Sequence, residues 1–232
     1  MLRKIDDETY QAMRRGAEVL EQDEHGEKLL VLNDGTFFKL FRVKRLFSSA
    51  RLVSHAVRFA RNAEALHRHG VPTVEILEVL RIPSIQRTAV RYQPLKGCNL
   101  RDLAADTDVF SAVHVDTLAR FVARLHDRGV YFHSLHLGNV LQLEDGRLAL
   151  IDISDMTVSG GSLSPSKRIR NLNHLLRYKQ DLDALERFNV DQFPDAYVAA
   201  ALEESSIDPE TLRTQIDFLI ASLKSGTLRT KQ

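Results

Sequence analysis

Apolar residues cluster in two short stretches early in the chain, Leu29 to Asn33 (LLVLN) and Thr36 to Arg42 (TFFKLFR). They flank Asp34-Gly35, a favoured hairpin turn, and so predict two paired strands. From Ser48 to His69 the apolar period lengthens to that of a helix, with Gly70 and then Pro72 as stop signals. Strand-like segments return between Thr73 and Leu95, including Ala89 to Tyr92. Pro94 and Gly97 suggest a connector, which puts a lobe boundary near Gln93 to Gly97. Beyond it, Val115 to Arg128 is amphipathic, with Leu118, Phe121, Val122 and Leu125 on one face and Gly129 as the stop. Two short strands are expected at Val140 to Leu143 and Arg147 to Ile153, around the turn Glu144-Asp145-Gly146. A Ser/Gly-rich loop from Ser159 to Ser166 precedes a mainly helical remainder, in which Asp208-Pro209-Glu210 reads as a helix start. The expected class is α+β, with a β-rich region 1–94 carrying one long helix and a mainly helical region 95–232.

Composition narrows the functional classes. Hydrophobic residues make up 44% of the 232, enough for a sizeable core. The 32 Lys and Arg residues face 31 acids, so no global field draws the chain to nucleic acid or an anionic surface. Few aromatics interleave with the basic clusters and no nucleic-acid module is evident, so no nucleic-acid partner is expected. One cysteine, Cys98, cannot form an internal disulfide and suits a reducing compartment. Neither a secretory signal nor a run of about 18 apolar residues is evident, so a cytoplasmic protein is expected.

Two charges stand in apolar settings. Lys39 alternates with Phe37 and Phe41, so the three share one face of a strand. An inward lysine there needs a partner, unless the strand is an edge and its stem reaches water. Val53, Val57, Ala60 and Glu64 advance by four, three and four residues, so Glu64 prolongs an apolar helical line. A strand lysine followed by a helix carboxylate is the ion pair kinases use to hold ATP phosphates, so a Lys39–Glu64 pair is expected.

The most informative stretch is HSLHLGNVLQLEDGRLALIDISD, from His133 to Asp155. Asn139 follows Ser134 by five residues, and Asp152 follows Asn139 by 13, at the end of the apolar LALI. A carboxamide and a carboxylate at neighbouring loop ends can converge on Mg²⁺, which takes oxygen ligands. This order resembles the catalytic loop and metal segment of the kinase-like phosphotransferases. Within that superfamily the words FRVKR, EALHRHGVPT and SLHLGNVL…LIDISDM resemble the bacterial lipopolysaccharide core kinases of the Kdo/heptose kinase, toluene-tolerance type. The resemblance covers about Leu29 to Tyr178.

It implies a bilobal protein-kinase-like fold with MgATP in its cleft. Lys39 would contact the α- and β-phosphates, with Glu64 positioning it, while Asn139 and Asp152 hold Mg²⁺. His136 would lie near the γ-phosphate. The acceptor would be a sugar hydroxyl of the lipopolysaccharide core, phosphorylated at the cytoplasmic face of the inner membrane. Two departures stand against this pattern. The turn EQDEHGEK (Glu21 to Lys28) has only Gly26 and carries Asp23, Glu24 and Glu27, which would repel phosphate. Ser134 stands where a catalytic Asp is expected. Its hydroxyl is too weak a base at neutral pH but can orient a substrate hydroxyl. His133, His136 and Asp155 are then the candidate proton acceptors. The alternative is a pseudokinase that keeps the fold as a nucleotide-binding or scaffold module. Lys167, Arg168, Arg170, Arg177 and Lys179 form a basic cluster that is either a solvated helix face or suited to an anionic glycolipid. Phe41 to Arg51 forms a second one, suited to lipid headgroups.

Overall fold

The computed structural model describes residues 2–43, 54–106, 108–201, 208–228 and 230–231. The chain divides into two compact units, Met1–Leu95 and Lys96–Gln232. The first is built on a β-sheet and the second is mainly helical, a mixed α/β architecture compatible with α+β.

In the first unit, β1 (Leu2–Lys4) and α1 (Asp7–Arg14) precede the hairpin strands β2 (Glu18–Asp23) and β3 (Gly26–Val31). Then come β4 (Phe37–Arg42), α2 (His55–Arg68), β5 (Glu75–Ile82) and β6 (Arg87–Gln93). The six strands lie in the order β1-β5-β6-β4-β3-β2. Only the β1–β5 pairing is parallel. The turn expected at Asp34-Gly35 joins β3 to β4. Gly35 takes φ +78°, and the Asp34 carboxylate accepts from the Thr36 N–H at 3.0 Å.

Alternation along β4 sorts its two faces. Phe38 and Leu40 are buried with Leu30, Leu80, Ile82 and Ala89 against Ile5, just before α1, and Tyr10 within it. Phe37, Lys39 and Phe41 take the other face, where the Phe41 ring lies 6.1 Å from Phe59 of α2. The expected helix Ser48 to His69 is described from its Ser54 N-cap, whose hydroxyl accepts from Val57 N–H. Its earlier residues, with Val53 and most of the basic stretch Phe41 to Arg51, lie outside the described residues.

In the second unit, β7 (Gly97–Asn99) leads into the short α3 (Leu100–Leu103) and the long α4 (Ala112–Asp127). Strands β8 (Val130–Phe132), β9 (Val140–Leu143), β10 (Leu148–Leu150) and β11 (Met156–Val158) follow. Helices α5 (Pro165–Leu176), α6 (Lys179–Arg187), α7 (Phe193–Ala201) and α8 (Pro209–Lys224) complete it. α4 buries Leu118, Val122 and Leu125 as expected, together with Val115, while Phe121 of the expected face is only half buried, and α8 begins at the Asp208 N-cap with Pro209 in its first turn. The strands form two small antiparallel sheets, β10-β9-β7 and β11-β8. Their loops, 133–139 and 151–155, carry most of the candidate chemistry.

Candidate functional site

Lys39 lies on an interior strand. Leu29 of β3 and Val90 of β6 are its partners in register, and both are buried. That excludes the edge-strand reading and leaves a half-buried ammonium on the α2 face of the sheet. The expected Lys39–Glu64 ion pair is not formed. The buried line of α2 is Ala56, Phe59, Ala63 and Leu66, whereas Glu64 is exposed and has no ion pair among the described residues. Val57 and Ala60 are only half buried, so the apolar line read from the sequence borders the true packing face.

The β2–β3 turn is less hostile to phosphate than its acidic residues suggest. Glu27 is held by the Arg14 guanidinium, with Arg14 Nε donating at 3.1 Å, and Asp23 pairs with Lys28 at 3.0 Å. Cations therefore offset two of the three carboxylates. Gly26 takes φ +106° in the turn.

In the second unit the two loops are tied together. The His133 N–H donates to the Asp155 carbonyl at 3.0 Å, and the Ile151 N–H donates to the Asn139 carbonyl at 3.1 Å. Asn139 is buried, and its Nδ2 donates to the Ser134 carbonyl at 2.9 Å. That bond fixes the carboxamide and leaves Oδ1 as its free acceptor. Asp152 adopts φ +51°, uncommon for a residue with a side chain. Such a conformation persists only where the surroundings hold it, as they do at functional loops. Ser134 and Asp152 are half buried, while His133 and Asp155 are exposed.

His136 is held on both sides. Its Nδ1 lies 3.3 Å from Arg101 Nη2, and its ring is 5.2 Å from Tyr178, edge to face. Arginine can only donate, so Nδ1 accepts and the ring proton is on Nε2. Burial, then the Arg101 charge, lowers the His136 pKa, so the ring is neutral near pH 7. It therefore presents an N–H rather than a lone pair, which favours a phosphate contact over proton abstraction. The exposed His133 is better placed to take a proton.

The residue that supports this loop lies outside the loop motifs, in α6. Asp181, 0% exposed in α6, accepts from Arg101 Nε at 2.7 Å and Nη2 at 2.9 Å, and from the Leu137 N–H at 3.1 Å. One carboxylate thus anchors the backbone of the loop and the cation facing His136. Its signal was legible in the pattern, because Asp181 shares the apolar line of Leu182, Ala184 and Leu185. Asn171 of α5 clamps the strand that enters the loop, accepting from Phe132 N–H at 3.2 Å and donating to its carbonyl at 2.6 Å.

The basic cluster after the metal segment is only partly a surface. Arg168 is 0% exposed and pairs with Asp127, so it cannot serve an external ligand. Lys179 pairs with Asp183 at 2.7 Å, while Lys167 and Arg170 are exposed.

The donor set of the loops fits Mg²⁺ bound with a phosphate ligand. Asn139 Oδ1 and the Asp152 carboxylate are oxygen donors, and the Asn139 donor is oriented by a hydrogen bond of its own. Among the described residues, no group of three or more His, Cys, Asp or Glu side chains gathers to hold a metal by itself. No helix among them is long and apolar enough to cross a membrane. No family model matches the chain, and no curated protein matches its sequence.

Proposed function

We propose that the chain is an ATP-dependent phosphotransferase of bilobal protein-kinase-like fold, acting on a sugar hydroxyl of the lipopolysaccharide core. The observation that carries this reading is the pair of loop ends in the second unit. Asn139 is fixed by the Ser134 carbonyl, and Asp152 sits in a left-handed conformation at the end of β10, one residue beyond the Ile151–Asn139 bond. A scaffold has no physical need for a strained carboxylate beside an oriented carboxamide.

Bound Mg²⁺ would offset charge on the transferred phosphoryl group, and Asn139 and Asp152 would hold it. By the resemblance, Lys39 would contact the α- and β-phosphates. His136, neutral and protonated at Nε2, donates to the γ-phosphate. Ser134 orients the acceptor hydroxyl, and the proton leaves to His133 or to water. Phosphoryl transfer depends mostly on positioning and charge, so loss of a carboxylate base lowers the rate without abolishing it. The chain would work at the cytoplasmic face of the inner membrane, where its acceptor is assembled.

The pseudokinase reading is favoured by two specific observations, Ser134 in the catalytic-loop position and the exposed Glu64 without its lysine. Incubation with γ-labelled MgATP and purified core glycolipid separates the two. Label transfer supports the enzyme. Nucleotide binding without transfer supports the pseudokinase, and absence of both removes the kinase assignment.

A further inference from the structure

A cavity of about 240 Å³ opens beside the candidate loop in the second unit. Tyr131, His133, Thr157, Ser159, Lys167 and Arg170 line it. We infer that this pocket binds an oxyanion, of the phosphate or carboxylate class, carried by the phosphoryl acceptor. The acceptor part of that inference rests on the phosphotransferase reading, while the anion pocket stands on the geometry alone.

The pocket is built from fixed parts. Gly129 takes φ +73°, and a Cβ there would meet the Gly161 carbonyl and Ser159 Oγ at 2.5 Å. Ser159 N–H and Oγ both donate to the Gly129 carbonyl, at 3.0 and 3.1 Å, which folds the following loop against the start of β8. Leu163 N–H then donates to the His126 carbonyl at 2.9 Å, and Arg168 Nε donates to the Leu163 carbonyl at 3.0 Å. With Arg168 buried against Asp127, the rotation of α5 is set.

That rotation puts Lys167 and Arg170 together on the outer side, three residues apart on one helical face. Like charges at this spacing weaken a helix. Neither has an ion-pair partner among the described residues, and no carboxylate lines the cavity. Asp155, exposed two residues before Thr157, is the acid next in the chain. The fields of Arg170 and Arg177 oppose the effect of burial on the Tyr131 phenol, so positive charge reaches the pocket wall. Two unpaired cations and the exposed Thr157 hydroxyl facing one cavity are the parts of an oxyanion site. His133 lines it and Ser134 is the next residue, so an anion held there would belong to the molecule whose hydroxyl reaches Ser134.

The test titrates inorganic phosphate, a hexose monophosphate, and phosphatidylglycerol vesicles against the full chain by calorimetry. It compares the wild type with K167E/R170E and with R213E, a single charge reversal on α8 outside the cavity lining, each checked by circular dichroism. The hexose monophosphate or the vesicles should bind, the double reversal should weaken binding about tenfold or more, and R213E should change it less than twofold. Loss on the soluble phosphate identifies a sugar-phosphate source, and loss on vesicles alone identifies a lipid headgroup. Absence of binding to all three probes, or binding that survives the double reversal, overturns the pocket. With saturating MgATP, the double reversal should raise the acceptor KM about tenfold while kcat and the KM for MgATP hold. An unchanged acceptor KM overturns the acceptor assignment. Oxyanion binding in a chain that does not bind MgATP would leave the pocket standing and remove the phosphotransferase reading.

Discussion

Asp152 and Ser134 occupy neighbouring loops yet are expected to matter unequally. On the phosphotransferase reading, Asp152→Ala would remove the anionic metal ligand from a step governed by charge stabilisation, and phosphotransfer should fall to near background. Ser134→Ala removes one orienting hydrogen bond and should cost about tenfold, or ~1.4 kcal/mol of transition-state energy. His136→Ala should fall between, because it removes an N–H donor and leaves Arg101 without its ring acceptor. Initial rates at saturating MgATP decide the ranking. If Ser134→Ala is as inactive as Asp152→Ala, the serine takes part in the chemistry directly. Calorimetry gives an independent check, since ATP affinity should depend on Mg²⁺ in the wild type and lose that dependence in Asp152→Ala.

Among the elements, β8 and α5 carry the loop. Asn171 satisfies both backbone groups of Phe132 and accepts from neutral His126 at 3.1 Å. Asn171→Ala should destabilise the second unit by roughly 1–3 kcal/mol for each buried group left without a partner. A lower urea midpoint with an unchanged slope is the expected signature. Arg168 is a sharper case, because its guanidinium also donates to Ser162 Oγ at 2.7 Å and to Tyr197 OH at 3.3 Å. Arg168→Ala should cost about 3–5 kcal/mol, since it leaves the Asp127 charge buried, whereas paired apolar replacement of Arg168 and Asp127 should cost much less. Equal losses in the single and double variants would show that the ion pair is not the reason for the cost.

At the scale of the whole molecule, His126 makes stability depend on pH. It is fully buried, accepts from Tyr197 OH at 2.6 Å, and has its pKa lowered from 6.5 to about 3, by burial first and then by the Arg168 charge. The unfolded chain therefore binds a proton that the folded chain excludes. The stability from this group is present above about pH 6.5 and is lost as pH falls toward 3, at about 1.4 kcal/mol per unit. His174, lowered to about 4 by burial and then Arg177, acts in the same direction, with a smaller effect because it is partly exposed. Urea unfolding at pH 7 and pH 5 should show the drop, and His126→Gln should flatten it. A slope unchanged in that variant would assign the acid sensitivity to other groups.

Local pattern alone determined the Asp34-Gly35 turn, the strands around it, the buried face of α4, the start of α8 and the order of Ser134, His136, Asn139 and Asp152. These depend on periods of 2 and 3.6 residues, on caps and on loop spacing, all of which are properties of neighbouring residues. Tertiary structure decided the rest. Glu64 and Asp181 are both carboxylates on apolar helical lines, but one faces water and the other is 0% exposed on Arg101. In α2 the apolar line read from the sequence lies one position, about 100° of rotation, from the packing face, and only the packing partner fixes that angle. Arg168 and Arg170 read alike in a basic run, yet a carboxylate 41 residues earlier buries the first and leaves the second exposed at a cavity. The sequence supplies the charges, and the partner that each one meets is set by contacts between residues far apart in the chain.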